Sequence, residues 1–217
     1  ASLLEAAGLT RGGEIVSGYL NRNTRFPAHI FEAAERVRSR RGLRVADFRT
    51  RRDLRLFVPR LQELYSGSLE GTTGNVPLTD AEARAIADQM LWFADPRLIK
   101  ILMKGEDPVG YLFAYPDISA AVQRTKGHLL PLGWADMLLE LRRTKWININ
   151  GAAIHADYRG LGGTALLFTE MYKSVTQGRY VHADIVQVGI ENDRMQRELR
   201  GLGIDFYKAH RLFTRSL

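Results

Sequence analysis

The chain has 217 residues, a formal net charge of +7 and a pI near 9.9, with 45% hydrophobic residues, enough for one large domain or one domain plus a fragment. It has no cysteine, which excludes disulfides, a thiol nucleophile and cysteine-ligated zinc. No apolar run approaches the roughly 20 residues of a membrane span and no signal peptide is visible, so the cytoplasm is the expected location.

Pro27 to Arg41 reads as a helix. Proline sits near its first turn, Ile30, Phe31, Ala34 and Val37 line one face, and Gly42 ends it. Arg36, Arg38, Arg40, Arg41 and Arg44, then Arg49, Arg51 and Arg52, form a basic run. Such a run can meet nucleic acid or acidic lipid, but no aromatics interleave it. It reads as a solvated helix face, and nucleic acid is not the expected partner.

Leu43 to Phe48 is a short strand candidate. Thr50 and Asp53 form a capping box ahead of Leu54, Phe57, Leu61 and Leu64, with Pro59 expected to kink or restart that helix. Thr79 and Glu82 open a further helix that ends before Pro96. Leu98 to Met103 and Val109 to Tyr115 read as a hairpin. Ile118 to Arg143 holds two helical pieces, the second being Trp134 to Leu141. Trp146 to Ile154 and Val181 to Ile190 are strands. Asn192 to Leu202 is a helix closed by Gly203, and Phe206 to Phe213 is a last strand. The order predicts an α/β fold with one mixed sheet (α+β in its arrangement).

Between the Trp146–Ile154 strand and the next helix lies Ala156-Asp157-Tyr158-Arg159-Gly160-Leu161-Gly162-Gly163-Thr164. A glycine-rich turn there exposes the first N–H groups of the helix, which together with the helix dipole make an anion site. Arg159 adds a charge suited to phosphate. The segment is not a P-loop, since no Gly-Lys-Ser/Thr follows, and the spacing of Gly160, Gly162 and Gly163 does not fit a dinucleotide fingerprint.

Tyr-Arg-Gly-x-Gly, a small residue and then Ala-Leu-Leu resembles the acetyl-CoA motif of the GNAT superfamily of N-acetyltransferases. In that family the motif's amides hold the pyrophosphate of coenzyme A. Arg159 and Gly162 fit without a gap, with Thr164 in place of the usual Gly or Ala. Alternatively, one residue is missing and Gly163 is the second glycine. The element order from Leu43 to Leu217 is similar to the same family, including Asp107-Pro108-Val109-Gly110-Tyr111 in the hairpin and Asn192 ahead of Gly203. The resemblance implies a GNAT-like fold with a helical insert between its third and fourth strands, acetyl-CoA or another acyl-CoA as cofactor, and a small-molecule or peptide amine as acceptor. It places Ile154, Arg159, Gly160, Leu161, Gly162, Gly163, Thr164 and Asn192 against that cofactor. Asn192 also suits an N-cap.

Proton transfer has weaker candidates. Many family members carry a general-acid Tyr where this chain has Leu199. His155 is the nearest titratable residue to the cofactor segment. Asn148 and Asn150 share one strand face by alternation and could orient an amine or water. Tyr207 lies on the last strand. His182 and Asp184 share a face, which is thin support for a metal, and no metal site is expected. A non-catalytic GNAT-like module that binds acyl-CoA or a partner is the alternative reading.

About 30 residues separate Pro116 from Trp146, beyond the length of an ordinary loop, and this insert either packs on the sheet or walls the acceptor cleft with Trp134 as an anchor. Leu4 to Leu9 echoes Leu199 to Ile204, each a helix end, a glycine and an apolar residue. Residues 1–42 are therefore expected to be the tail of a preceding GNAT-like half plus a linker helix, and 43–217 a GNAT-like domain, as in the second half of a two-domain bacterial GNAT-like protein. The Ile15 to Leu20 strand would pair with that domain's sheet or, as an exposed edge, with a second copy in a homodimer.

Overall fold

A computed structural model describes residues 2–69 and 79–215. The elements in order are α1 (Ser2–Ala6), β1 (Thr10–Asn21), α2 (Ala28–Arg41), β2 (Leu43–Val45), α3 (Arg51–Leu69), α4 (Asp80–Phe93), β3 (Ile99–Lys104), β4 (Asp107–Pro116), α5 (Ser119–Arg124), α6 (Gly133–Arg143), β5 (Trp146–Ile154), α7 (Gly163–Thr176), β6 (His182–Gly189), α8 (Asp193–Gly201) and β7 (Asp205–Thr214).

Local signals set most boundaries. The Asp53 carboxylate accepts from the N–H groups of Thr50 (2.8 Å) and Arg49 (3.1 Å), while Asp53 N–H donates to the Thr50 hydroxyl (3.2 Å). Glu82 and Thr79 repeat the reciprocal pair ahead of α4. Gly42 ends α2 at φ +60°, in the left-handed region that glycine enters without a Cβ clash. Two expectations shift. The predicted strand from Leu43 is only three residues long, and α3 does not restart at Pro59 but continues through it. A proline inside a helix costs about 3 kcal/mol, and here Leu54 and Leu64 offset it by anchoring the helix in the core on both sides of Pro59.

One seven-stranded sheet carries the fold, in the order β2-β3-β4-β5-β6-β1-β7. Among the described strands only β5 and β6 pair in parallel. The N-terminal β1 is seated between β6 and β7, antiparallel to both, with Leu20 opposite Ala183 and Val16 opposite Ala209. Two cores cover the sheet. On one face Leu20, Val37, Leu166, Met171 and Leu199 join α2, α7 and α8 to the strands. On the other, Leu54, Leu64 and Leu91 from α3 and α4 pack over Ile101, Met103 and Tyr111 of β3 and β4. Each such fully buried aliphatic side chain contributes about 1.5–3 kcal/mol of transfer free energy.

This second core lies over β3 and β4. On the same face of β5, β6, β1 and β7 stand Trp146, Asn148, His182, Asp184, Tyr19 and Tyr207, each one residue from an inward apolar neighbour such as Ile147, Ala183, Ile185, Leu20 or Phe206.

Candidate functional site

The chain leaves β5 at Ile154, makes a single 3-10 turn over Ala156–Tyr158 and enters α7 through Arg159 to Gly162. Gly160 (φ +74°) and Gly162 (φ +85°) are both left-handed. A Cβ on Gly162 would stand 2.7 Å from Val37 Cγ2, and one on Gly163 would stand 2.6 Å from Leu102 Cδ2. The two glycines therefore let the helix start sit directly on α2 and β3. The N–H groups of residues 160–165 have no acceptor among the described residues. α7 thus presents unpaired donors at its positive end, which is the arrangement an anion needs.

Cations surround that end. Arg159 is exposed, and its Nε donates to the Ile154 carbonyl at 2.9 Å, which curls the guanidinium back over the turn. Beside it lies a depression of about 310 Å³ lined by Arg41, Leu43, Lys104, Tyr158 and Leu161. Lys104 Nζ donates to the Arg41 carbonyl at the end of α2. Ile154, Arg159, Gly160, Leu161, Gly162, Gly163 and Thr164 thus lie along one turn, with Arg41 and Lys104 lining the depression that Leu161 shares.

The second feature is a parting of strands. β5 and β6 pair from Trp146↔His182 to Ile149↔Ile185 and no further, although β5 continues to Ile154 and β6 to Gly189. At the parting, β5 bulges against β4. Leu112 faces Ala152 and Ala114 faces Ile149, so Asn150 and Gly151 together oppose Phe113. Gly151 takes φ +119°, which a side chain would strain. Asn150 is exposed beside this bulge and its Nδ2 donates to the Tyr115 hydroxyl at 3.4 Å.

The remaining sequence candidates separate. His155 donates its backbone N–H to the Val109 carbonyl at 2.9 Å, and its Nδ1, buried without a hydrogen bond, lies 3.6 Å from Asp157 Oδ2. It stands just before the glycine-rich turn, five residues beyond Asn150, which is roughly 16 Å of extended strand. Asn192 caps α8, its Oδ1 accepting from Met195 N–H at 3.1 Å. Leu199 is fully buried in the core beneath α8. His182 and Asp184 do share a face, but no group of three or more His, Asp or Glu able to hold a metal occurs among the described residues.

Sequence reasoning missed what those two residues do. Asp184, 7% exposed, accepts on Oδ2 from the Tyr207 hydroxyl (2.9 Å) and from Lys208 Nζ (2.8 Å), while its Oδ1 is buried without a partner. His182 Nδ1 shares a 2.6 Å hydrogen bond with the Tyr19 hydroxyl and stacks on Trp146 at 4.4 Å. Burial raises the Tyr207 pKa, and the hydrogen bond to Asp184 raises that of Lys208. This belt of aromatic and charged groups crosses four strands. No local signal could reveal it, because it depends on β1 lying between β6 and β7.

No family model matches the chain. Protein YghO of Escherichia coli K12 is 23% identical over 224 residues, covering 100% of this chain and 57% of that protein. A protein named bacterial ceramide synthase, from Caulobacter vibrioides, is 25% identical over 169 residues, covering 74% of this chain and 43% of that protein. The chain thus spans about half the length of the curated relatives it matches. A crystal structure of a GCN5-related N-acetyltransferase from Sphaerobacter thermophilus superposes with a TM-score of 0.58 at 13% identity, covering 98% of this chain and 54% of that one. With β5, the glycine-rich turn, α7 and β6 in the order expected from the sequence, the chain has the fold of the GCN5-related N-acetyltransferases.

Proposed function

We propose that the chain is an acyl-CoA-dependent N-acyltransferase. The observation that carries this reading is the unpaired N–H array of residues 160–165 at the mouth of the β5–β6 parting, flanked by Arg159, Arg41 and Lys104. A polyanionic cofactor with a long, narrow arm fits both parts: phosphates at the helix start, the arm between the strands. Acetyl-CoA or a longer acyl-CoA would supply there a thioester whose carbonyl carbon bonds to the amine as its C–S bond breaks.

The chain's own residues divide the work along β5. Arg159, Gly160, Leu161, Gly162, Gly163 and Thr164 hold phosphate, and Ile154 fixes Arg159 through its carbonyl. His155, at the same end, serves binding rather than proton transfer, since roughly 16 Å of strand separates it from the bulge. Asn150 stands at the reacting end, hydrogen-bonded to Tyr115, and orients the acceptor or a water that takes its proton. Asn192 stiffens the start of α8. Leu199 does no proton chemistry.

The acceptor reading we carry forward is an amine on an apolar chain. Its supports are the exposed Trp146 and Tyr207 on one sheet face and the ceramide synthase name of one relative. A non-catalytic acyl-CoA module is the second reading, favoured by the burial of Leu199 where the GNAT resemblance implies an acid.

Thermal shift with acetyl-CoA, a long-chain acyl-CoA and free coenzyme A tests binding. A ligand at a hundred times its dissociation constant adds about 2.7 kcal/mol to stability. No shift with any of the three overturns both cofactor readings. A shift, with no thiol released across a panel of short and long-chain amines, leaves the non-catalytic module standing.

A further inference from the structure

We propose that the insert between β4 and β5 seats this protein on an anionic membrane surface. Leu129, Leu130, Leu132, Trp134 and Leu138, in a span of ten residues, are 56%, 80%, 71%, 52% and 53% exposed. Soluble surfaces rarely gather so many large apolar side chains in one place. Trp134 satisfies its only polar atom internally, Nε1 donating to the Pro131 carbonyl at 3.2 Å, so its ring is left as an apolar face.

Charge selects the occupant. Residues 117–145 hold three acids, Asp117, Asp136 and Glu140. Arg124 of α5 clamps two of them, donating to both Asp136 oxygens at 3.0 Å and to Glu140 at 2.5 Å. Asp117 turns its carboxylate to the N–H and hydroxyl of Ser119. Trp134, Leu138 and Arg142 follow one another at i, i+4 spacing along α6, and Asp136 and Glu140 lie on the opposite side. Lys126, Arg142 and Lys145 are exposed and pair with no carboxylate among the described residues. The insert is thus apolar at its tip and cationic at its rim, with its acids neutralised from behind. That pattern matches an interfacial lipid contact, where apolar side chains enter the headgroup boundary and cations meet anionic headgroups. A second copy fits less well, because an isologous contact would set the two cationic rims against each other.

The placement is independent of any transfer chemistry. The insert joins the end of β4 to the start of β5, whereas the glycine-rich turn follows the opposite end of β5. A membrane at the insert would leave the phosphate cradle in water.

Flotation of the full chain with vesicles of phosphatidylcholine alone, or of equimolar phosphatidylcholine and phosphatidylglycerol, tests this. The wild type is expected to float with the mixed vesicles and at least tenfold less with the neutral ones. Leu130→Glu with Leu132→Glu should lose flotation on the order of tenfold or more while keeping the wild-type melting temperature, since both side chains are exposed. Arg142→Glu with Lys145→Glu should remove the preference for phosphatidylglycerol, about fivefold or more per cation. The blue shift of tryptophan emission on vesicles should vanish in Trp134→Phe. Wild-type protein that floats with neither vesicle overturns the proposal. So do variants that float like wild type. A dimer in sedimentation that Leu130→Glu with Leu132→Glu dissolves, without vesicle binding, assigns the patch to a second copy and also overturns it.

Discussion

Ile149 on β5 and Ile185 on β6 are the last residues those two parallel strands hold in register, and the bulge at Asn150 and Gly151 follows at once on β5. The extra residue twists β5 toward β4 just where it must leave β6. Both isoleucines are buried, so the apex of the parting is fixed by packing from below.

This relationship predicts a separation of effects. Gly151→Ala places a Cβ on a φ of +119° and about 3.7 Å from the Tyr111 ring, and should destabilise by about 1–3 kcal/mol. Gly105→Ala is a control, left-handed at +57° but with open space around it. It should cost about 1–2 kcal/mol. Only Gly151→Ala should weaken acyl-CoA binding. Equal binding in both variants would show that the bulge does not shape the cleft.

The helix start offers a second test. Gly162→Ala combines a left-handed penalty of about 1–2 kcal/mol with a clash on Val37 that α2 must absorb, so a total of about 2–4 kcal/mol is expected from urea unfolding. Arg159→Glu should behave in the opposite way. It is exposed and, among the described residues, bonded only to the Ile154 carbonyl, so ligand-free stability should move by less than about 0.5 kcal/mol. Coenzyme A affinity should fall roughly ten- to a hundredfold, the worth of a charged hydrogen bond. Calorimetry that finds unchanged affinity would move the phosphate site elsewhere.

The Gly162 and Arg159 tests rest on a turn readable in the chain itself, whereas the bulge at Gly151 had no sign in the sequence. The capping boxes at Thr50 and Thr79, the stop at Gly42 and the turn before α7 are written in contiguous residues, and a contiguous signal survives folding. Residues 4–9 and 199–204 end their helices in the same way. Leu9 N–H bonds the Leu4 carbonyl and Ile204 N–H bonds the Leu199 carbonyl, each at 3.1 Å or less, across Gly8 and Gly203 at φ +81° and +78°. The sheet order was not legible. Strand pairing across nearly two hundred residues leaves no periodic trace, so the meeting of Tyr19 with His182, and the grouping of Tyr207 and Lys208 on Asp184 beside it, had no local sign. Leu199 illustrates the remaining gap. An apolar residue on an amphipathic helix could have faced a cleft, and only the packing shows it facing the core.

Leu199 therefore carries its own prediction. Leu199→Tyr introduces the acid that the resemblance to the GNAT superfamily implies at this position, but the site is fully buried among apolar side chains. Overpacking costs about 1–3 kcal/mol and a buried hydroxyl adds to that. Melting temperature should fall and thiol release should not rise. A stable variant with a faster rate would show that the position opens to the cleft.

Asp95 gives the pH dependence. It stands just before β3, its side chain nearly buried, and its Oδ2 accepts from the Tyr180 hydroxyl at 2.9 Å and from Arg97 Nη2 at 2.7 Å. Burial opposes its ionisation, but the hydrogen bonds from Arg97 and Tyr180 outweigh it and hold the carboxyl below its ordinary value of 3.8. Burial pushes Tyr180 up to about 12, so its hydroxyl stays a donor at neutral pH. With the folded value below the unfolded one, the unfolded chain takes up the proton first as pH falls. The stabilisation from Asp95 is complete above 3.8 and is lost as pH drops through the folded value. Asp95→Asn should cost about 1–3 kcal/mol at neutral pH, since Arg97 and the nearby Arg179 lose their carboxylate. Urea unfolding followed from neutral pH into the acid range should show the wild type and the variant converging below 3.8. Parallel curves across that range would mean that the Asp95 carboxylate contributes nothing through its charge.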